Sequence, residues 1–478
     1  MAAAMQRLIG ENVPIARSLL LGNDVRRGRA TVEAARQRCG SASIGRILRD
    51  LSFGITSSAT KQSCYVDLKV EDFLFIFDAL LDVAAATGQI VHRLKNNGEW
   101  TSLDRLRAKP WMRKRNRGGF VELAVTDRED KLLDRISLVL WDVGEEGHWV
   151  THAANVPVKR CLSLAATDLP TDAFSEPVDA VFTWVNSTDP DWLGLFRKHG
   201  GANDFDPDRF SQNEELKYAI RSVRLLAPWI RNIYIVSNCN PPAWFKATDN
   251  TLWVDHSEII PEQYLPLFNS RAIETFVHNI PALSEKFLYL NDDFYICSPV
   301  VYSDFFSPHG LTVARLESGG AVPFFHSKSL AGSADSWQAA TANGARLVAD
   351  RFGSWPSRIH THSPYAISKV AFARVLELFS EHREATRKAR FRSFSDVSFI
   401  SFVYHHSALN EHLAAPAYGG SMTVNNRNYR SFEKRRQWNE LKFFCLNDGG
   451  GSSIDHGYNR FKHSFPALLY PFRLRSER

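Results

Sequence analysis

Phe287-Leu288-Tyr289-Leu290-Asn291-Asp292-Asp293-Phe294-Tyr295-Ile296 decides how the chain folds: four large apolar residues, a polar trio, then three more apolar residues. A short apolar run of this kind reads as a buried strand whose end must present Asn291, Asp292 and Asp293 together. Two adjacent carboxylates are costly to bury unpaired, so at such a strand end they should meet a divalent cation, basic side chains, or water in a cleft. A hard cation that also takes oxygens from a diphosphate fits the set best. The period of two along a strand favours Asn291 with Asp293 on one face. An isolated Asn-Asp-Asp is more simply a solvated turn, and the surrounding blocks decide between the two readings.

Upstream, Val178 to Val185 has the same buried texture and runs into the polar turn Asn186-Ser187-Thr188-Asp189-Pro190, with a helix expected from Asp191-Trp192 onward. Glu214 to Leu226 is amphipathic and ends at Pro228; Asn232 to Asn238 and Thr251 to Asp255 read as strands, and Ser270 to His278 as a helix. The alternation predicts an α/β, Rossmann-like sheet in which several strand ends line one cleft. Residues 300–359, with Gly319-Gly320 and the Ser/Ala/Gly-rich stretch Ser327 to Ser336, are expected to form a loop-rich insertion on the substrate side. Helices are expected at Ile367 to Phe379 and Ser395 to Tyr404, and a further strand at Leu441 to Asp448.

Residues 1–170 read differently. An amphipathic helix is expected from Phe73, continuing toward Leu94 and stopping at Asn96-Asn97-Gly98. Gly119 to Val125 and Ile136 to Val143 look like strands, and Gly144-Glu145-Glu146-Gly147 like a hairpin turn. The expected organisation is a small α+β accessory domain over 1–170, a linker bracketed by Leu169-Pro170 and Glu176-Pro177, and a catalytic domain over 177–478.

The formal charge of +6 is unevenly spread, with basic clusters at 105–117, 383–392 and 427–436. Anionic lipid, nucleic acid or a phosphorylated substrate could meet such clusters. No nucleic-acid-binding pattern accompanies them, so no nucleic-acid partner is expected. The six cysteines are scattered with no CxxC pair, which suits a reducing compartment. Met1 to Gly10 lacks an apolar signal core and no later segment is a membrane span, so the expectation is a cytoplasmic protein touching the inner membrane face peripherally through its basic clusters.

Several blocks together resemble the Stealth family of sugar-1-phosphate transferases. Asp179 to Asp189 is similar to its first conserved region. Glu215 to Ser222, Ala227 to Asn238 and Phe287 to Asp293 are similar to its second, His362-Ser363-Pro364-Tyr365 and Arg392 to Asp396 to its third, and Lys442 to Asp448 to its fourth. The resemblance spans roughly residues 177–450 in the family's order. It implies a glycosyltransferase-A-type core in which a hexose-1-phosphate, by family weighting N-acetylhexosamine-1-phosphate, passes from a UDP-sugar to a carbohydrate hydroxyl. UMP is released and a phosphodiester forms, in capsular or other cell-surface polysaccharide synthesis. Two alternatives stay open: a metal-dependent glycosyltransferase that attacks sugar C1 and releases UDP, and a non-catalytic carbohydrate- or membrane-binding protein.

For that chemistry, Asp292 and Asp293 with Asn291 would hold Mg²⁺ or Mn²⁺ against the diphosphate. Asp179 and Asn186, read as ending the first strand, would contact the nucleotide; ordinary turn and cap polarity is the competing reading. His362 is the candidate general base or phosphate donor, with helix capping as the alternative, and His360 should point the same way. Arg392, singled out by the resemblance, offers a planar fork for phosphate oxygens. Asp396 would orient Arg392 or His362, or cap a helix. Arg221 would bind phosphate or pair with Glu215, and Asp448 would be a further metal ligand or a loop anchor.

Overall fold

The computed structural model describes residues 28–52, 65–95, 98–103, 119–143, 149–151, 160–161, 176–200, 205–208, 210, 214–307, 310–435 and 441–478. The basic cluster at 105–117, the turn at 144–147, Asn96-Asn97 and Leu169-Pro170 lie outside them. The chain forms two compact units, one of residues 1–94 with 100–173, the other of 174–478 with the short stretch 95–99.

In the first unit, helices α1 (Ile44–Leu51) and α2 (Val70–Thr87) pack on a seven-stranded sheet of order β3-β2-β4-β5-β6-β7, with β1 (Tyr65–Lys69) pairing in parallel with β5. The other strands are β2 (Ile90–Leu94), β3 (Trp100–Ser102), β4 (Gly119–Thr126), β5 (Leu132–Val143), β6 (Trp149–Val150) and β7 (Arg160–Cys161). Ile47, Leu48, Phe73, Phe77 and Leu80 meet Val121, Leu123, Ile136 and Leu138 in one core. The helix expected to reach Leu94 stops at Gly88, whose φ of 68° ends it in the left-handed conformation that only glycine adopts without strain. Ile90 and Val91 beyond it are β-branched and start a strand instead.

The second unit is built on a five-stranded sheet of order β10-β9-β8-β11-β14. The first four strands are parallel: β8 (Val178–Thr183), β9 (Ile230–Ser237), β10 (Thr251–Asp255) and β11 (Lys286–Asn291). Helices α3 (Pro190–Lys198) and α4 (Glu215–Leu226) provide the crossover that a parallel β8–β9 pair requires. Asp189 caps α3 by accepting from the amides of Asp191 and Trp192. The chain winds outward from β8 to β10 and returns on the other side of β8 as β11, so strand order reverses there. In open α/β sheets that reversal opens a crevice beyond the strands' carboxyl ends. Thr183 pairs with Asn291, so β8 and β11 end at the same edge.

β11 is covered on both faces, with Phe287, Leu288, Tyr289 and Leu290 all buried. Burying each of Phe287, Leu288 and Leu290 contributes ~1.5–3 kcal/mol, which fixes the strand in the sheet and its polar end at the rim. After the Asp292-Asp293 turn, β12 (Phe294–Ile296) joins a second sheet of order β12-β17-β16, with β16 (Ser421–Val424) and β17 (Phe443–Leu446). The acidic turn is therefore held from both sides. β14 (Tyr365–Ser368) runs antiparallel to β11.

Residues 300–359 are not loop-rich. They contain β13 (Thr312–Leu316), which pairs in parallel with β15 (Ala414–Tyr418), and helices α5 (Val322–Leu330) and α6 (Ser336–Phe352). The buried face of α6 is built from Ala339, Ala340, Ala342, Gly344 and Ala345. A Cβ on Gly344 would come within 3.0 Å of Val403 Cγ2, so close approach rather than large apolar side chains holds this helix. The helix expected from Ser395 starts later, as a π-helical turn over Phe399–Tyr404 that continues into an α-helix over His405–Asn410. Among the described residues no helix is long and apolar enough to cross a membrane.

Candidate active site

Asp292 and Asp293 sit in the turn between β11 and β12, both half-buried. Asp293 Oδ2 accepts the Cys445 thiol at 3.1 Å, and its backbone oxygen accepts the Leu446 amide at 3.0 Å. Its other carboxylate oxygen, Oδ1, is buried with no hydrogen-bond partner. Burial and the negative charges of Asp293, Glu215 and Asp448 hold the Asp292 carboxyl well above the usual range; Asp293 is raised the same way, by burial and by Asp448 and Glu215. The Cys445 thiol, pushed up by burial and by Asp293, stays protonated and so can donate. The electrostatic grouping is thus Asp292 with Asp293, because the turn breaks the period of two that had paired Asn291 with Asp293. Asn291 ends β11 beside Thr183.

Among the described residues, one buried cation serves this cluster. Lys462, from the helix over His456–Leu469, is fully buried, with Nζ 2.7 and 2.8 Å from the Asp448 oxygens and 3.7 Å from Glu215. Asp448 also accepts from Ser452 Oγ at 2.8 Å. Among the described residues, the carboxyls of Glu215, Asp292, Asp293 and Asp448 outnumber the one buried lysine beside them. An orphaned carboxylate oxygen within such a cluster is what a hard cation with oxygen ligands would satisfy. Among the described residues, however, no three His, Cys, Asp or Glu side chains converge as a ready metal cage.

A second cluster lies on the short helix Ser270–Glu274 and the loop that packs on it. Glu274 is buried and its carboxyl is pushed up to about 7, burial outweighing the nearby Arg271 and Arg392 charges. Tyr289 OH donates to Glu274 Oε1 at 3.3 Å and lies 2.7 Å from Thr183 Oγ1 at the end of β8, linking the buried acid to the crevice edge. Arg392 Nη2 donates to Ser270 Oγ at 3.0 Å. Asn269 Nδ2 reaches the carbonyls of Ala389 and Phe391 and the Asp396 carboxylate, at 3.1, 3.3 and 3.0 Å, tying the arginine loop to the helix.

The two histidines separate. His360 Nε2 accepts the Arg315 amide at 3.1 Å, so its proton is on Nδ1, which lies 2.7 Å from the Thr361 carbonyl. Burial pushes its pKa down to about 3, and its ring lies tilted against that of His405 at 4.4 Å. Both nitrogens are therefore engaged in holding the fold. His362 instead stacks on Phe294, the residue after Asp293, at 6.0 Å, and burial lowers its pKa, keeping the imidazole neutral. The Tyr289↔Tyr365 register of β11 and β14 carries His362 toward the Asn291–Asp293 end.

Other expected site residues lie elsewhere. Asp179 opens β8 rather than ending it, at the sheet edge opposite Thr183. It is fully buried, takes a bidentate pair from Arg231 at 2.9 and 2.6 Å, and accepts the amides of Asn232 and Ser284. Arg221 is locked to Glu477, with Nε–Oε1 at 2.8 Å, and to the Tyr470 carbonyl at 2.8 Å, so neither phosphate nor Glu215 is its partner. Asp396 pairs with Arg271 at 3.1 Å rather than with Arg392 or His362. Asn186 is at the right edge, but its side chain closes a turn by accepting from the Thr188 amide and hydroxyl at 3.0 and 2.7 Å.

Glu215, Arg271, Glu274, Cys445 and Lys462 were not singled out from the sequence. Helical charges such as Arg271 and Glu274, three residues apart, read as a solvated pair, and nothing local marks them as buried.

Residues 209–314 match the family model described as Stealth protein CR2, conserved region 2. The chain is 34% identical over 313 residues to the capsular polysaccharide phosphotransferase SacB of Neisseria meningitidis serogroup A, covering 62% of this chain and 56% of that protein. It is 31% identical over 311 residues to the capsular polysaccharide phosphotransferase fcs1 of Haemophilus influenzae, covering 62% of this chain and 84% of the relative. An exopolysaccharide phosphotransferase of Streptomyces coelicolor is 36% identical over 302 residues, 59% of this chain and 53% of that one. The chain thus spans about half the length of several curated relatives it matches. Among solved structures it is similar to the galactosyltransferase LgtC in complex with donor and acceptor sugar analogs, at 13% identity and a TM-score of 0.31, over 62% of this chain and 96% of that one.

Proposed function

The chain belongs to the Stealth family, and from that premise we propose that its second unit transfers a hexose-1-phosphate unit from a UDP-sugar to a carbohydrate hydroxyl in polysaccharide synthesis. N-acetylhexosamine is the proposed sugar. The acceptor oxygen attacks the phosphorus that carries the sugar, the bond from that phosphorus to the bridging oxygen breaks, UMP leaves with that oxygen, and the product is a phosphodiester.

The observation that carries the reading is the acidic turn at the crevice edge: two adjacent carboxyls at the end of β11, both raised by burial and by neighbouring acids, with one oxygen of Asp293 buried without a partner. Asp292 and Asp293, with Asn291 beside them, are the residues proposed to hold Mg²⁺ or Mn²⁺. When bound, that ion supplies charge neutralisation on the diphosphate and a better leaving group. Phosphoryl transfer otherwise asks for positioning and charge more than covalent help. Arg392, with its guanidinium tied to the Ser270–Glu274 helix, is the residue proposed to bind phosphoryl oxygens. Glu274, its carboxyl raised to about 7 by burial, is the group proposed to accept the acceptor's proton. His362, neutral against Phe294, serves as hydrogen-bond donor to a phosphoryl oxygen. Asp396 is a positioning residue, acting through Arg271 and Asn269.

Incubation with UDP-N-acetylglucosamine labelled in the uridine, Mn²⁺ and a glycan acceptor tests the reading. UMP with a phosphodiester product is the expected outcome. Release of UDP would replace the reading with attack at sugar C1, and no turnover of any UDP-sugar would leave a binding protein.

A further inference from the structure

We propose that Thr183 and Tyr289 form a relay that carries the acceptor's proton to Glu274, with Thr183 as the group that touches the acceptor hydroxyl. The inference rests on the assignment of Glu274 as proton acceptor above and names the path by which that buried acid is reached.

A general base must come within hydrogen-bond reach of the proton it takes, directly or through an intermediary. Glu274 is only 8% exposed, and its Oε1 takes the Tyr289 hydroxyl at 3.3 Å. Tyr289 is itself fully buried. The next atom outward is Thr183 Oγ1, 2.7 Å from the Tyr289 oxygen and carried on a half-buried residue at the carboxyl end of β8. Thr183 stands opposite Asn291 in the sheet, and residues two apart on a strand share a face, so Tyr289, Asn291 and Thr183 lie on one face at the crevice edge.

The directions of the hydrogen bonds follow from the protons available. In its proton-accepting form Glu274 is a carboxylate and can only accept, so the single Tyr289 proton points to it. The 2.7 Å contact then requires Thr183 to donate to the Tyr289 oxygen. Thr183 has no second proton, and its oxygen is left to accept from a hydroxyl arriving in the crevice.

As the acceptor oxygen attacks, its proton passes to Thr183 Oγ1, the Thr183 proton to the Tyr289 oxygen, and the Tyr289 proton to Glu274 Oε1. Each O–H bond that breaks is matched by one that forms. Both hydroxyls end intact with their donor directions reversed, and only Glu274 changes charge, from carboxylate to acid. Among the described residues, the charges acting on Glu274 are Arg271 from its own helix and Arg392 and Asp396 from the loop packed on it. Arg387, from the helix over Ser380–Lys388, bonds the neighbouring Thr275 at 2.9 Å.

The test compares turnover by the full chain with that of Tyr289→Phe, Thr183→Val and Thr183→Ser, each checked by melting temperature. Thr183→Val keeps the shape and removes the hydroxyl, whereas Thr183→Ser keeps the hydroxyl and removes the methyl group. Tyr289→Phe and Thr183→Val should lower kcat by about 100-fold at unchanged donor KM and lose the rise of rate with pH near 7. Thr183→Ser should recover most of the rate lost in Thr183→Val; a packing role would rank these two the other way. In mixtures of H₂O and D₂O the wild-type kcat should fall along a curve, as it does when several protons move together, and Tyr289→Phe should remove the curvature. If Tyr289→Phe does not fold, the two Thr183 variants decide alone. A Thr183→Val enzyme with wild-type kcat and pH profile overturns the relay, and so does a pH limb lost in Glu274→Gln but kept in both relay variants. A limb kept in Glu274→Gln instead removes the base assignment and the relay with it. The uridine product is read in the same assay: UDP in place of UMP ends the phosphotransfer reading alone, because attack at sugar C1 also takes the acceptor's proton.

Discussion

Lys462 Nζ lies 2.7 and 2.8 Å from the two carboxylate oxygens of Asp448, with the ammonium group fully buried. It is the internal countercharge of a cluster that also contains Glu215, Asp292 and Asp293. Removing one partner of a buried pair leaves the other uncompensated, so Lys462→Met should lower stability by ~3–5 kcal/mol. Urea unfolding of the two proteins gives the difference directly; a loss under about 1 kcal/mol would mean that water reaches the cluster.

Asp179 and Arg221 should behave as structural residues. Arg221 and Glu477 form a buried pair, and Asp179, fully buried at the strand end away from the crevice edge, holds the half-exposed Arg231 and the amides of Asn232 and Ser284. Arg221→Ala should cost ~3–5 kcal/mol in chemical denaturation by leaving Glu477 buried and unpaired, and Asp179→Ala ~1–3 kcal/mol by leaving those amides unsatisfied. In whatever fraction stays folded, donor KM and kcat should match wild type, whereas a selective rise in donor KM would return either residue to the binding site.

Activity should depend on pH through Glu274. Its carboxyl is raised to about 7 in the folded protein, so the proton-accepting form is lost as pH falls below that value. The kcat/KM profile is expected to rise with pH across the region near 7, and Glu274→Gln should lower the rate and remove that limb. The stability sign is opposite. Between the ordinary carboxyl range and about 7 the folded state holds more protons than the unfolded, so Glu274's contribution to stability falls as pH rises through that window. An unchanged profile in the Gln variant would move proton acceptance to another group.

Asp293→Asn should weaken Mn²⁺ binding, read by calorimetry without donor or acceptor, by at least about 100-fold. EDTA should abolish wild-type turnover, with recovery on adding Mn²⁺ or Mg²⁺. Unaltered Mn²⁺ affinity in the variant would remove Asp293 from the proposed ligand set.

The parallel strands were legible because each carries a run of Val, Ile, Leu and Phe closed by a polar turn, as at Phe287 to Asp293 and Val178 to Asn186. The same periodicity could not show α6, whose buried face is alanine and glycine and therefore carries little hydrophobic signal. It also misplaced Asp179: a polar residue at either end of a strand looks the same in sequence, while only one end of β8 opens on the crevice. Glu274 and Lys462 were hidden for a different reason. Charged residues on a helix read as solvated, and their burial is a property of what packs against the helix from distant sequence, here Arg392 and Tyr289 for Glu274 and Asp448 for Lys462.

Asn269, with one amide nitrogen shared among Ala389, Phe391 and Asp396, makes the arginine loop and the Glu274 helix a single mechanical body. The acid and the arginine therefore shift together or not at all, since the loop bearing Arg392 cannot move without carrying the Ser270–Glu274 helix with it.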